Sequence, residues 1–403
     1  MSPRLRRIQS YSFPSSWRPR ALVRAGLTTG FAVACASFCA PVFAAGPADA
    51  RTGRELEEIV VTASLREQGL AEIPMSVTVL GESTLEAAGL QHFADVLGMV
   101  PNLNWSGGTS RPRFFQLRGI GELEQYQGAP NPTVGFLIDD IDLSGVGMPA
   151  TLFDTQQVEV LRGPQGTRYG ANALAGLVKI KTRDPSTTPD LHAEVMGADH
   201  GTWSAGMAGG GPIGDAGSAW RLAGQTFSSD GFLHNAYLDR DDTNGRDEST
   251  LRGKLRWKLA AGWRADLAAL YVDVDNGFDA FTPDNSRTML SGKPGRDAQR
   301  TRGVSAGVTG TLGDITVHSV SGYAWSDSVY SFDGDWGNDA YWGEFAPYDY
   351  FSHYARERST LSQDFRIAST AGGAVEWVAG VYALRLDEDS LQRAEFAGEL
   401  DAG

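Results

Sequence analysis

From Leu251 to Leu259 every second residue is apolar or glycine (Leu251, Gly253, Leu255, Trp257, Leu259), and every residue between is a cation: Arg252, Lys254, Arg256 and Lys258. A period of two means an extended strand with one apolar and one charged face. The pattern recurs: Val304, Ala306, Val308 and Leu312 oppose Ser305, Thr309 and Thr311, and Trp220 and Leu222 face away from Arg221 and Gln225. Beyond the N-terminus no run of about 18 uncharged apolar residues exists, which excludes a helical membrane protein. Strands of about ten residues, apolar outward and polar inward, fit a transmembrane β-barrel. A soluble sandwich is the alternative, with its apolar face turned inward. The connections favour the barrel. Gly209 to Gly217 is short and glycine-rich, whereas Asp275 to Arg300 and Tyr330 to Glu357 are long, the asymmetry of periplasmic turns and external loops.

The first 44 residues have another character. Six arginines (Arg4, Arg6, Arg7, Arg18, Arg20, Arg24) and no acid precede an apolar run from Ala25 to Phe43 and a Val42-Phe43-Ala44 site. That order describes a secretory signal peptide cut after Ala44. Both cysteines, Cys35 and Cys39, leave with it, so the remainder has no thiol for disulfides or catalysis. Losing six of 35 basic residues while keeping all 49 acids leaves a charge of about −20, which argues against a nucleic-acid partner.

Residues 45–69 read as a flexible, polar tail. It contains the β-branched run Glu58-Ile59-Val60-Val61-Thr62-Ala63. Such a run either adds as a strand to a partner's sheet edge or opens the next domain. Residues 70–188 suggest a compact α/β unit. Ser83 and Glu86 have capping-box spacing, and Phe93, Val96, Leu97 and Val100 sit at helical spacing, stopped by Pro101-Asn102. Val134 to Ile141 and Val158 to Leu161 read as strands, among glycine clusters at Gly119, Gly121, Gly163, Gly166, Gly170 and Gly176.

Several segments resemble the TonB-dependent outer-membrane receptor family. Glu58 to Ala63 is similar to its TonB box. Leu117-Arg118-Gly119, then Val158-Glu159-Val160-Leu161-Arg162-Gly163-Pro164-Gln165-Gly166-Thr167 and Tyr169-Gly170-Ala171-Asn172-Ala173, resemble signature blocks of its plug domain. Ser362 to Arg366 and Trp377 to Tyr382 resemble barrel strands. The resemblance implies an α/β plug (70–188) followed by an antiparallel transmembrane barrel (189–403), 22-stranded in the family. It implies a chain exported to the outer membrane of a Gram-negative bacterium, not an enzyme and without a cofactor. The expected partners are outer-membrane lipid, the TonB energy-transducing complex and a small-molecule ligand. In that family the cargo is most often an iron-siderophore complex. Cobalamin or carbohydrate import, a passive porin and a binding-only surface protein remain the alternatives.

Within that frame the box residues Glu58, Ile59, Val60, Val61, Thr62 and Ala63 are the expected TonB-binding strand, and only seven residues, Ser64 to Leu70, separate them from the plug. Arg118, Glu159 and Arg162 are candidates for latching the plug to the barrel wall. Ten aromatics between Tyr330 and Tyr354, among them Trp336, Tyr341, Trp342 and Tyr348, are candidates for contacting ligand in an external loop. Interfacial packing is the alternative. Asp333, Asp335 and Glu344 echo a calcium loop, with Asn338 where glycine belongs. The Arg252, Lys254, Arg256 and Lys258 face is expected inside the barrel, paired with plug acids or attracting an anion. At about 20 to 25 residues per strand and connection, 189–403 supplies nine or ten strands, so the reading expects a truncated chain that does not transport.

Overall fold

The computed structural model describes residues 60–61, 68–69, 75–105, 109–123, 132–169, 172–214, 217–260, 262–370 and 375–397. The signal segment and Glu58, Ile59, Thr62 and Ala63 lie outside the described residues. Inside the box run, β1 (Val60–Val61) pairs antiparallel with β2 (Gln68–Gly69), Val60 opposite Gly69.

An α/β domain follows. It opens with β3 (Ser76–Gly81) and helix α1 (Glu82–Ala87). The expected capping box at Ser83 does not form: the helix starts two residues earlier, with Gly81 at the N-cap and no side-chain cap. The next helix, α2 (Phe93–Val96), is capped instead by His92. His92 Nδ1 accepts from Ala94 N at 3.0 Å, and Asp95 Oδ2 accepts from His92 N at 3.0 Å. A 3₁₀ turn (Leu97–Met99) then carries the chain to Pro101, and Phe93, Val96 and Val100 are buried.

Two short strands, β4 (Leu103–Asn104) and β5 (Gln116–Leu117), lead into a hairpin with β6 (Ile120–Gly121). Arg118 and Gly119 turn that hairpin with φ of 54° and 78°. The Val134 to Ile141 run divides into β7 (Val134–Ile138) and β8 (Ile141–Asp142). Asp139 and Asp140, at φ 48° and 66°, form the two-residue turn whose twist suits a tight hairpin. Next come β9 (Thr155–Arg162), α3 (Gly166–Tyr169) and β10 (Gly176–Thr182). The resulting sheet has the order β3-β9-β10-β7-β8, with β10 and β7 parallel. Its fully buried Val158, Val160, Val178 and Ile180 pack on Phe93, Phe115 and Phe136, whose rings lie 5.0–5.7 Å apart.

The rest is one antiparallel sheet. Its strands are β11 (Asp190–Gly197), β12 (Trp203–Ile213), β13 (Ser218–Ser229), β15 (Arg246–Ala260), β16 (Trp263–Phe278), β18 (Gly295–Leu312), β19 (Ile315–Asp333), β20 (Asp349–Ser369) and β21 (Val378–Ala397). They follow chain order without crossover. In two of the loops, β14 (His234–Asn235) and β17 (Thr288–Met289) pair with each other. The expected strand number is met by nine. Most strands run longer than ten residues, up to 21 in β20, so much of the expected "long loop" length at 275–278, 295–300, 330–333 and 349–357 belongs to strands. Only two to four residues separate β12 from β13, β15 from β16 and β18 from β19, and the longer links at 230–245, 279–294 and 334–348 all lie at the opposite end.

Alternation is clean. Leu191, Val195, Leu222, Leu251, Leu255, Trp257, Leu267, Val304, Val308, Leu361 and Val381 are exposed on one face. No helix among the described residues is long and apolar enough to cross a membrane, so the strands carry the apolar surface. On the side of the long links this surface ends at a lateral row in direct register, Asp273, Arg300, Asp327, Glu357 and Asp389. Charges are tolerated there only if the row stands at headgroup level. One strand departs from the polar-in rule. The inward side of β16 is Ala268, Leu270, Val272 and Val274, all buried, because it lies against the α/β domain and shares its core.

Candidate functional site

The seam between the α/β domain and the sheet wall concentrates the chain's buried charge. On its outer side the segment 109–113 runs along the wall. Arg111 donates through Nε and Nη2 to both oxygens of Glu248, at 2.8 and 3.0 Å. Arg113 Nη2 lies 2.6 Å from Asp297 Oδ1, and Ser110 N and Oγ reach Asp297 Oδ2 at 2.6 and 2.7 Å. Asn276 Nδ2 bridges Ser110 Oγ and Glu248 Oε1. Arg113 and Asp297 are 4% and 0% exposed, so this pair is shielded from water and salt. The two guanidinium groups also lie 5.6 Å from the Phe227 ring and 5.8 Å from Tyr330.

Nearer the tight turns a second group of contacts uses the cations expected inside the barrel. Lys254 Nζ donates to Asp139 Oδ1 at 2.8 Å, to the Thr182 carbonyl at 2.9 Å and to Asp184 at 3.3 Å. Arg256 holds Asp184 and Asp266, and Arg252 Nη2 donates to the Phe153 carbonyl. Arg221 Nε meets Asp154 at 2.8 Å while its Nη1 meets Asp190 at 2.8 Å. Pairing with acids is thus the reading of the cationic face that the contacts favour. Burial pushes the Asp184 carboxyl up, but Lys254, Lys181 and Arg256 outweigh it and hold it well below the usual carboxylate range.

The fit is close. Beside His92, Arg111, Gln225 and Glu248 the seam encloses a cavity of only about 10 Å³, room for one water molecule. At the other end it opens into a cleft of about 540 Å³ lined by Glu82, Arg183, Asp184 and Arg256.

His92 reports on this packing. Its Nε2 lies 2.9 Å from the Met148 carbonyl while Nδ1 accepts from Ala94, a neutral tautomer with both nitrogens occupied. Burial, then the nearby Arg111 charge, lower its pKa to about 3. The unfolded chain binds this proton below its ordinary pKa of 6.5 and the folded chain does not. Stability therefore rises with pH between 3 and 6.5 and is lost as pH falls through that window, by at most about 1.4 kcal/mol per pH unit. His92→Asn, which keeps a capping acceptor and cannot titrate, is expected to flatten the acid limb of unfolding between pH 6 and 4. An unchanged slope would assign the limb to other groups.

The expected latch residues lie elsewhere. Arg118 sits exposed in the β5–β6 turn. Arg162 donates to the Pro101 carbonyl at 3.0 Å, Thr78 Oγ1 at 2.7 Å and Ser76 Oγ at 3.4 Å, so it braces β3 within its own domain. Glu159, fully buried in β9, accepts from Gln157 and stands opposite Lys179 of β10. The hydrogen bonds of Arg162 and the register partner of Glu159 thus lie within the α/β domain itself. The residues missed were Ser110, Arg111, Arg113, Asp139, Asp154, Glu248 and Asp297. An Arg-Pro-Arg step in an otherwise polar loop was their one local signal.

In the loop at 334–348, helix α4 (Asp339–Trp342) is capped by Asn338. Trp336, Tyr341 and Tyr348 are exposed, and Trp342 packs between the last two, at 5.0 and 4.7 Å. Trp336 stacks on Phe281 at 5.8 Å. Loop packing and exposed aromatic surface therefore coexist. Asp335 accepts from Gly337 N, Trp342 Nε1 and Tyr350 N, and Asp333 from Ser291 Oγ. Those carboxylates organise the loop, and no cluster of three metal-ligating side chains occurs among the described residues.

Residues 69–177 match the family model of the TonB-dependent receptor plug domain. That segment is a plug domain of the kind found in TonB-dependent receptors. The chain is 30% identical over 212 residues to a pesticin receptor of Yersinia pestis, covering 52% of this chain and 31% of that one. To a vitamin B12 transporter, BtuB, of Vibrio vulnificus it is 26% identical over 263 residues, 60% of this chain and 39% of the relative. The receptor's fold is similar to the crystal structure of the ferric yersiniabactin uptake receptor FyuA from Yersinia pestis. That match has a TM-score of 0.69 and 22% identity, over 80% of this chain and 50% of the other. The chain thus matches about a third of the length of these curated relatives and half of that solved chain. The α/β domain is the plug, and the nine-stranded sheet corresponds to barrel wall.

Proposed function

We propose that the receptor works in the outer membrane of a Gram-negative bacterium as an energised importer of a bulky, scarce nutrient, with an iron-siderophore complex as the first candidate. The observation that carries this reading is a plug seated on a transmembrane-type wall through ion pairs. A seam of charged and polar contacts can be released and remade, whereas an apolar core of the same area is permanent. The N-terminal box run Glu58 to Ala63 is the handle for the TonB complex, since a β-branched strand binds a sheet edge through backbone hydrogen bonds. Val60–Val61 pairs with Gln68–Gly69, so the handle must leave that hairpin to add elsewhere. The relatives' names point to iron chelates or cobalamin as cargo, and external aromatics such as Trp336, Tyr341, Trp342 and Tyr348 are proposed to contact it.

Uptake of a ferric siderophore by cells expressing the full-length receptor is expected to stop when the proton gradient is dissipated, with surface binding retained. Uptake that continues would favour the passive-porin reading.

A further inference from the structure

The tip of the β7–β8 hairpin meets the wall at a place built for it. Asp139 and Asp140 turn the chain with positive φ, and a backbone N–H and two lysines hold their carboxylates. Asp139 accepts from Thr182 N at 3.0 Å and from Lys254 Nζ at 2.8 Å, and Asp140 pairs with Lys179 at 2.8 Å. Ser305 Oγ of β18 donates to the Asp139 carbonyl at 2.8 Å. Where the tip touches, two adjacent strands present glycine on their inward faces. A Cβ on Gly303 would lie 2.7 Å from Ile141 Cγ2, and one on Gly322 would lie 2.8 Å from the Asp140 carbonyl oxygen. Both distances are too short for real contacts, so the plug excludes a side chain at Gly303, and at Gly322 it does so together with Ser362 Oγ of the neighbouring strand, also at 2.8 Å.

Inward positions around this notch all carry a Cβ: Thr301 and Ser305 on β18, Val320 and Ala324 on β19. Shifting the plug along the wall by one inward position, about 7 Å, would drive the tip into one of them. At Gly307, also inward on β18, the three atoms nearest a would-be Cβ all belong to the wall, at 3.4–3.9 Å, so glycine on this strand is not everywhere a plug contact.

We propose that Gly303 and Gly322 form a keyed seat for the Asp139–Ile141 tip, which fixes the plug's depth and rotation against the wall in the closed receptor. These are positioning residues. The proposal rests on the reading of the α/β domain as a barrel plug, and its test reads seating without requiring transport.

The only cysteines are Cys35 and Cys39, so with both replaced by serine Ser305→Cys supplies a single near-isosteric thiol beneath the tip, where Ser305 is 7% exposed. Its reaction with a maleimide in the purified full chain is expected to be slow. Gly303→Val should accelerate it about tenfold or more by overpacking the seat, and adding Ile141→Ala should restore the slow rate. Gly307→Val is expected to leave it slow. Equal acceleration by Gly303→Val and Gly307→Val would overturn the seat, as would failure of Ile141→Ala to restore protection. If labelling behaves as expected while uptake ignores the proton gradient, the seat stands and the importer reading falls.

Discussion

Asp297→Ala is expected to weaken the docking of the plug by about 3–5 kcal/mol, because it strands a buried guanidinium without its counter-charge. Arg113 is 4% exposed and its 2.6 Å partner is removed, together with the acceptor for Ser110 N and Oγ. A buried ion pair adds little net stability over an apolar pair of equal volume, since desolvation offsets the attraction. Its one-sided removal is the expensive change. The double variant Arg113→Met/Asp297→Leu should therefore recover most of what Asp297→Ala loses. Limited proteolysis of the plug in the detergent-purified chain, titrated with denaturant, measures this. Equal losses for the single and double variants would show that the geometry of the pair, and not the orphaned charge, holds the segment.

Arg221→Ala should produce the second large loss, at the tight-turn side of the seam. One guanidinium holds Asp154 of the plug and Asp190 at the start of β11, and Asp154 is only 3% exposed. The Asp154 contact should account for most of a loss of about 3 kcal/mol. Asp190 is a third exposed, so its share is discounted for solvent screening. Arg221→Lys should recover little, because an ammonium cannot span two carboxylates with a planar fork. Hydrogen exchange in 190–197 and 151–155 reads the effect locally. Acceleration confined to one of the two segments would mean that the arginine does not couple them.

Much of the wall was legible because alternation is a local property. Leu251 to Leu259 announced its two faces without help from any distant residue, and Arg221 and Gln225 were correctly placed opposite Trp220 and Leu222. The β16 interior misled, since Leu270, Val272 and Val274 face a plug that no strand pattern encodes. The seam partners were illegible for a related reason. Arg111 and Glu248 stand 137 residues apart, and their meeting depends on how the plug seats against the wall. Charges in the signature blocks drew attention to Arg118, Glu159 and Arg162, yet Arg162 spends its donors on Pro101, Ser76 and Thr78. A conspicuous motif marked the internal bracing of the plug and not its attachment. Finer local errors arose where chemistry departed from the commonest choice: histidine capped α2, and Asp-Asp in place of Asn-Gly turned the β7–β8 hairpin.

The account stands or falls on whether the segment before the plug drives transport without contributing to ligand capture. Deletion of Glu58 to Ala63 in the full-length receptor, followed by parallel assays of ferric-siderophore binding and uptake in energised cells, separates the two. The expected result is unchanged binding at the cell surface and complete loss of accumulation. Accumulation at the undeleted rate would contradict it.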